Sequence, residues 1–170
     1  KLQLSGGLNG TAAALTDGDF IGEDKGPGQR TGIQAFLDNS DVSLMAVPGI
    51  VAPNVQLSLV AHCERLGSRF AVLDMPQDAK SVTDIMNHRN IVDSDYCAMY
   101  HPWLEVYDPL DKRNTYIPPS GSVLGIYARS DNTRGVHKAP ANETVANCTG
   151  LSVTYNTAEQ DMLNPNGVNL

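Results

Sequence analysis

The sequence predicts one α/β domain, a three-layer sandwich with a mostly parallel central β-sheet and an added β-hairpin. Continuously apolar runs at 42–49, 69–76 and 96–103 predict strands that are buried on both faces. Segments with apolar residues at helical spacing separate these runs. This alternation of strand and helix is typical of a parallel sheet that lies between two layers of helices.

Local signals mark the helix starts. Ser and Thr are favoured just before a helix because their side-chain oxygens accept a hydrogen bond from a free backbone N–H, and proline is favoured at the first helical position. Thr157 is followed by Gln160, which is the spacing of a capping box. The predicted helices start at Thr31, Pro53, Ser81, Ser120 and Thr157.

The remaining strand signals lie outside this alternation. The run WLEVYDPLDKRNTYIPP (103–119) predicts a β-hairpin, because two strand-like segments flank a turn that contains proline and asparagine. A last strand is predicted at LSVTY (151–155), and a short one near Phe20 and Ile21.

Two parts of the chain differ in composition. Residues 1–30 are rich in Gly, Asp and Thr, which predicts a loop or arm packed on the core. Residues 31–170 contain most of the strand and helix signals and are predicted to form the α/β core domain. Because the chain starts at Lys1 and not at Met, we interpret it as a fragment of a longer protein.

The composition indicates a folded protein and narrows its partners. Hydrophobic residues make up 41% and charged residues 18% of the chain, an ordinary globular mixture. The formal net charge of −7, without a stripe of Lys or Arg, argues against a nucleic-acid partner. No apolar run is long enough for membrane insertion. The scattered cysteines, Cys63, Cys97 and Cys148, predict reduced core thiols of a cytosolic protein.

The sequence contains no motif for a cofactor or a metal. The glycines of residues 22–32 do not form a phosphate-binding or dinucleotide-binding loop. The histidines lack the spacing of a metal site, so neither a cofactor nor a metal is predicted. We expect His88 in a polar surface stretch and His101 partly buried at a strand end.

An enzyme is the alternative function, since α/β folds often hold a serine nucleophile. Ser120 and Ser122 lie at a predicted helix start, where activation by His101 or His137 and an Asp would make a hydrolase. The surrounding S-G-S-V-L-G does not match the G-x-S-x-G elbow of α/β hydrolases. The competing interpretation is that Ser120 only caps the helix, which stabilises it by roughly 1 kcal/mol.

Arg129, Arg134 and Lys138 add local positive charge to this acidic chain, and Asp131 and Glu143 are near enough in sequence to pair with them. A cationic loop on an acidic body suits packing against an acidic neighbour. A solvated loop with weak surface ion pairs explains the same residues equally well, so both interpretations stay open. The candidate contact residues are Arg129, Asp131, Arg134, His137, Lys138 and Glu143.

Long motifs here and elsewhere resemble one family. The run PPSGSVLGIYARSDNTRGVHKAPANE (118–143) is similar to a signature of phage contractile-tail sheath proteins. The resemblance covers nearly the whole chain, and its motifs occur in the order expected of that family. They include LTDGDFIG, PGQRTGIQAFLDNSDVSLMAVPGI, AHCERLGSRFAVLDMP, YCAMYHPWLEVYDP and AEQDMLNPNGVN.

The resemblance implies a structural protein that is not an enzyme. Sheath subunits assemble as stacked hexameric rings in a helical sheath around an inner tube, and contraction drives the tube through the host cell envelope. The family resemblance also implies a central domain with subtilisin-like topology and no protease activity. A phage, a prophage and a tail-derived particle fit as sources, and a secretion-system sheath fits the motifs less well.

The same resemblance implies partners and a location. We expect other sheath subunits as partners, and the tail tube through parts that this fragment lacks. Arms that add strands to a neighbour's sheet are also expected outside the fragment. The isolated fragment is expected to be a monomer or a weak dimer. The whole protein is expected in the tail sheath of the virion, after assembly in the host cytoplasm.

Overall fold

The computed structural model describes residues 6–7, 10–11 and 14–170, and these residues contain seven β-strands. The strands are β1 (Leu44–Met45), β2 (Phe70–Asp74), β3 (Cys97–Tyr100), β4 (Leu104–Asp108), β5 (Arg113–Ile117), β6 (Cys148–Leu151) and β7 (Val168–Asn169). One sheet has the order β1-β2-β3-β7 and is parallel throughout. The other has the order β5-β4-β6 and is antiparallel.

Helices connect these strands. The α-helices of the described residues are α1 (Asp17–Ile21), α2 (Pro53–Leu66), α3 (Val82–Arg89), α4 (Ser120–Arg134) and α5 (Thr157–Leu163). Gly32–Asp38 and Asn164–Asn166 form 3₁₀ helices. None of the helices in this part of the chain is both long enough and apolar enough to cross a membrane.

Helices cover both faces of the parallel sheet. On one face, Ala71 and Leu73 of β2 pack in a hydrophobic cluster with Leu59 of α2. On the other face, the ring of Phe70 stacks on Tyr127 of α4, with ring centroids 6.0 Å apart. Successive side chains of a strand point to opposite sides of the sheet, so β2 is covered on both. The predicted three-layer α/β architecture with a mostly parallel central sheet is confirmed.

The predicted hairpin is confirmed, because β4 and β5 pair antiparallel with Leu104 opposite Ile117. The strand predicted at 151–155 is wrong in its position. The observed strand, β6, ends at Leu151, and the chain then leaves the sheet to bury Tyr155. Pairing with the second edge of β4 holds β6 in place.

The short strand predicted near Phe20 and Ile21 is wrong, because both residues lie in α1. The backbone N–H and the hydroxyl of Thr16 each donate to the Asp19 carboxylate at 2.7 Å, which fixes the start of this helix. Phe20 and Ile21 then pack against the hydrophobic cluster under the parallel sheet.

The rest of the predicted arm includes a closed loop, residues 22–32. Its two ends cross so closely that a Cβ on Gly22 would lie 1.9 Å from the carbonyl oxygen of Thr31. Inside the loop, Arg30 pairs with the Asp24 carboxylate at 2.7 Å. The division between arm and domain at residue 30 stays a prediction. Outside the described residues lie 1–5, 8–9 and 12–13 of the arm.

Helix caps agree with the predictions in one case and differ by a residue in another. Ser81 caps α3, where its hydroxyl accepts the backbone N–H of Asp84 at 3.1 Å. The cap of α5 is Asn156 and not Thr157, because Asn156 and Glu159 exchange side-chain to backbone hydrogen bonds of 3.0 and 2.8 Å. An Asn cap with Glu at the third helical position satisfies two free N–H groups together.

Candidate functional site

A buried carboxylate lies at the carboxyl end of β2, the edge at which parallel sheets commonly place functional residues. Asp74 is 2% exposed and accepts the backbone N–H of Gly49 at 3.0 Å and that of Ser120 at 2.8 Å. The Ser120 hydroxyl donates to the same carboxylate at 2.7 Å. Asp74 therefore joins the loop before α2 and the start of α4 to the central sheet.

Opposing effects act on the charge of Asp74. Burial raises the pKa of this carboxyl, and the hydrogen bonds from Gly49 and Ser120 lower it in part, so that the net direction is upward. The carboxylate also faces the N-terminus of α4, where the helix dipole favours a negative charge. The site is therefore a structural junction, in which the hydrogen-bond donors of Gly49 and Ser120 all point to the Asp74 carboxylate.

The prediction that Ser120 caps α4 is wrong. Pro119 is the residue that precedes the helix, and Ser120 is the first helical residue, fully buried. Its hydroxyl donates to the Asp74 carboxylate and does not accept a backbone N–H. The two residues are 46 positions apart in the chain, so no local pattern could have identified this contact.

The residues of the hydrolase alternative are not assembled into a catalytic group. The Ser120 hydroxyl contacts Asp74, and the described contacts include none between Ser120 and a histidine. His101 lies 2.7 Å from the Tyr155 hydroxyl through its Nε2 atom, and His137 is exposed beyond the end of α4. This arrangement gives no support to a serine nucleophile activated by a histidine.

His101 lies at a strand end, as predicted, but it is fully buried and not partly buried. It is 2% exposed, and burial lowers its pKa to about 4. Burial also raises the pKa of its partner Tyr155, to about 12. Both side chains are therefore neutral near neutral pH, and their contact holds the end of β3 to the segment that precedes α5.

The prediction that His88 lies on the surface is wrong, because its side chain is buried. Its Nε2 atom lies 3.0 Å from the Gln56 side-chain oxygen, and the Gln56 amide donates to the backbone oxygen of Asp74 at 2.8 Å. Burial lowers the pKa of His88. The missed signal is the spacing from Ile85, a fully buried residue three positions earlier on α3.

The described residues contain no group of three or more His, Cys, Asp or Glu side chains placed to hold a metal ion. The three cysteines are free thiols; Cys63 is buried, and Cys97 and Cys148 are partly buried. Burial raises the pKa of Cys63 to about 11, which keeps this thiol protonated and unreactive.

Three of the six candidate contact residues form one cluster that joins α4 to the segment after it. The Glu143 carboxylate lies 2.8 Å from Lys138 Nζ and 3.2 Å from Arg129 Nη2. Arg129 Nη2 also donates to the backbone oxygen of Thr144 at 3.3 Å. The hydrogen bond and charge of Lys138, together with those of Arg129, lower the pKa of Glu143.

The other three candidates lie apart from this cluster. Asp131 is half-buried on α4, and Arg134 is exposed in the last turn of that helix. The described contacts give the Arg134 side chain no hydrogen-bond or ion-pair partner. His137 is exposed, and its ring lies over Gly135, where a Cβ would be 2.9 Å from the ring. The side chains of Arg134 and His137 are therefore accessible to solvent.

A groove of about 830 Å³ separates α4 from residues 139–145. Tyr100 and Tyr127 line it, and their hydroxyl oxygens lie 2.9 Å apart. Apolar side chains form much of the remaining lining, namely Pro102, Leu104, Pro119, Val123, Ile126, Pro140, Val145 and Leu151.

Sequence comparison places the chain among tail sheath proteins. The family model for the phage tail sheath protein central domain matches residues 24–170. The tail sheath protein of Escherichia phage P2 is 24% identical over 169 residues, which cover 93% of this chain and 42% of the P2 protein. The chain thus spans less than half the length of this curated relative.

Structural comparison gives the same result. The sheath complex of an extracellular contractile injection system, PVC, in its contracted state matches with a TM-score of 0.61 and 28% identity, covering 73% of this chain and 33% of that one. The baseplate of the anti-feeding prophage matches with a TM-score of 0.58 and 27% identity, covering 74% and 32%. Because the family model matches most of the chain, this chain belongs to the phage tail sheath protein family, a family of structural sheath subunits, and contains its central domain.

Proposed function

We propose that this chain is the central domain of a subunit that builds a contractile sheath around an inner tube, as stacked hexameric rings. Contraction of the sheath then drives the tube through the host cell envelope. The match of residues 24–170 to the sheath family carries the proposal, and the likeness to a contracted sheath complex supports it. In this role the subunits assemble in the host cytoplasm and end in the tail sheath of the particle.

In this proposal the domain moves as a rigid body. Contraction requires the same subunits to pack in two arrangements, of which the second has the lower free energy. The contacts of Asp74 with Gly49 and Ser120 support rigidity, because they join three distant segments inside the domain. Polar contacts on the surface can then exchange while the core stays intact.

We assign contacts with neighbouring subunits to the region around the end of α4. Arg134 and His137 are exposed there, and the charge of Arg134 has no partner among the described contacts. A cation on an acidic subunit is attracted to the acidic surface of the next copy. The full set assigned to this contact region is Arg129, Asp131, Arg134, His137, Lys138 and Glu143.

Substitution of Arg134 in the full-length sheath protein tests this assignment. We expect Arg134→Ala, alone or with Lys138→Ala, to reduce the striated tubular polymers seen in electron micrographs, because an intersubunit charge pair is lost. Arg65→Ala is a matched control, since Arg65 also lies in the last turn of a helix, on the opposite face of the parallel sheet. Normal sheaths from the double variant would contradict the assignment.

We further propose that the domain has no enzymatic activity and that the isolated chain is a monomer or a weak dimer. The complete burial of Ser120 supports the first part, because a nucleophile must reach its substrate. Light scattering of the isolated chain tests the second part. A mass that corresponds to stable hexamers would overturn the proposal that the chain is a monomer or a weak dimer. A hydrolase activity that is lost on Ser120→Ala would overturn the proposal that the domain has no enzymatic activity.

A further inference from the structure

Residues 136–147 connect α4 to β6 and line the groove described above; we call them the strap. The segment contains neither helix nor strand. Its one described backbone hydrogen bond joins the N–H of Lys138 to the carbonyl oxygen of Gly135 at 3.1 Å. A segment with so few backbone hydrogen bonds has little to resist local opening.

The strap adds little to the hydrophobic core. Val136 is 84% exposed, and Pro140 and Val145 are only half-buried. None of the three belongs to the hydrophobic cluster around β2 or packs against it. Apolar burial is the largest stabilising contribution to folding, so a segment outside the core is held mainly by its polar contacts.

Apart from the backbone hydrogen bond to Gly135, a single side chain supplies the described polar contacts between the strap and the rest of the domain. Arg129 Nη2 on α4 binds the Glu143 carboxylate at 3.2 Å and the Thr144 carbonyl oxygen at 3.3 Å. The pair of Lys138 with Glu143 joins two residues of the strap itself, so it does not hold the strap to α4. Arg129 is therefore the tie across the groove.

Residues with positive φ lie at both ends of the strap and once within it. Gly135, just before it, has φ 94°, Asn147, its last residue, has φ 59°, and Asn142 between them has φ 58°. Hinge motions are absorbed by a few residues at the ends of regular elements, which is where Gly135 and Asn147 lie. Between Gly135 and Asn147, the strap forms one wall of the groove, and residues of α4, β3, β4 and β6 contribute to the other walls.

We propose that the strap opens as a unit while α4 and both sheets stay folded, and that Arg129 is the latch that keeps it closed. Opening uncovers the apolar side chains of the groove, among them Val123 and Ile126, without a loss of the core packing around β2. The inference concerns a local equilibrium of this chain and does not depend on sheath assembly.

Limited proteolysis of the 170-residue chain with thermolysin, followed by mass spectrometry, tests the latch. Thermolysin cleaves before apolar residues, and we expect cleavage before Val145, a half-buried residue of the groove lining, to be faster when the strap has left the groove. We expect Arg129→Ala to accelerate this cleavage by roughly threefold to tenfold, since both contacts are lost. Glu143→Gln should accelerate it less, because the Thr144 contact remains. Lys138→Ala is the matched control and should leave the rate close to that of the unsubstituted chain.

Cleavage before Leu59, a buried residue of α2, reports global unfolding in the same digests. The proposal that Arg129 is the latch would be overturned if the unsubstituted chain, Arg129→Ala and Glu143→Gln were cleaved before Val145 at equal rates. The latch would also be overturned if the rates of cleavage before Val145 and before Leu59 rose together in both variants, because the strap would then open only when the domain unfolds. Acceleration before Val145 alone supports the proposal.

Discussion

Two carboxylates hold two regions of this domain together, in opposite surroundings. Asp74 is buried at the end of the parallel sheet and accepts hydrogen bonds from Gly49 and Ser120. Glu143 lies in the exposed strap and pairs with Lys138 and Arg129. Each carboxylate has several donors, but the partners of Asp74 lie 25 and 46 positions away in the chain, whereas those of Glu143 lie 14 and 5 positions away. The two carboxylates differ in their access to solvent.

This difference determines what each contact contributes. When an exposed ion pair breaks, water solvates both charges, so the pair stabilises the fold very little. When the contacts of a buried carboxylate are lost, its donors remain buried without a partner and stability falls by the cost of their desolvation. The Asp74 region therefore sets the stability of the domain, and the Glu143 region can rearrange at little cost. A subunit that keeps its fold while its packing changes requires both.

Removal of the buried carboxylate should have the largest effect. We expect Asp74→Ala to lower the free energy of unfolding by about 3–5 kcal/mol, because three N–H and O–H donors lose their acceptor inside the domain. Urea unfolding followed by circular dichroism measures this change.

Asp84→Ala is the control for Asp74→Ala, since Asp84 is an exposed carboxylate that also accepts a serine hydroxyl, that of Ser81 at 2.6 Å. We expect Asp84→Ala to cost about 0.5–1 kcal/mol. Similar losses in the two variants would show that burial does not distinguish these carboxylates, and the comparison between the two regions would fail.

The layers of the fold could be predicted from sequence, but the junction at Asp74 could not. Strand β2 and helix α2 lie where the apolar runs and the Pro53 start placed them, because burial leaves a periodic pattern along each element. The contact of Asp74 with Ser120 joins residues 46 positions apart, and neither residue has a neighbour that indicates the other. His88 shows the same limit, since its polar neighbours concealed a side chain on the buried face of α3.

Acid should weaken the buried region through His101. The unfolded chain binds a proton at this residue with the ordinary pKa of 6.5, whereas burial lowers the folded-state pKa to about 4. The unfolded state thus binds more protons below pH 6.5, and the stability contributed by neutral His101 is lost as the pH falls from about 6.5 to about 4. This loss amounts to about 3 kcal/mol.

Urea unfolding of His101→Gln across that pH range measures this loss. Glutamine can keep a hydrogen bond to Tyr155 but does not titrate. We therefore expect the variant to lose about 3 kcal/mol less unfolding free energy than the unsubstituted chain as the pH falls over this range. The lowered pKa values of His62 and His88 act in the same direction and remain in the variant. An unchanged pH profile would contradict the assignment to His101.

Substitutions of Ser120 separate a buried contact from a helix cap. We expect Ser120→Ala to cost about 1–2 kcal/mol, because Asp74 loses one of its donors. Ser120→Asn should cost more, since the larger amide has no space in a fully buried position. If Ser120 were a helix cap, Ser120→Asn should cost less than Ser120→Ala, because Asn is among the best cap residues. Ser81→Asn, at the observed cap of α3, is the control and should change stability by less than about 0.5 kcal/mol.

The smallest effect on global stability is expected for Glu143→Gln. Its pairs with Lys138 and Arg129 lie in the strap, outside the hydrophobic cluster, so the urea midpoint of the whole domain should stay unchanged within the error of the measurement. The same variant should still accelerate thermolysin cleavage before Val145. A change in local opening without a change in global unfolding is what distinguishes the Glu143 region from the Asp74 region. A midpoint shift as large as that of Ser120→Ala would instead show that the strap unfolds together with the core, and the two regions would then form one cooperative unit.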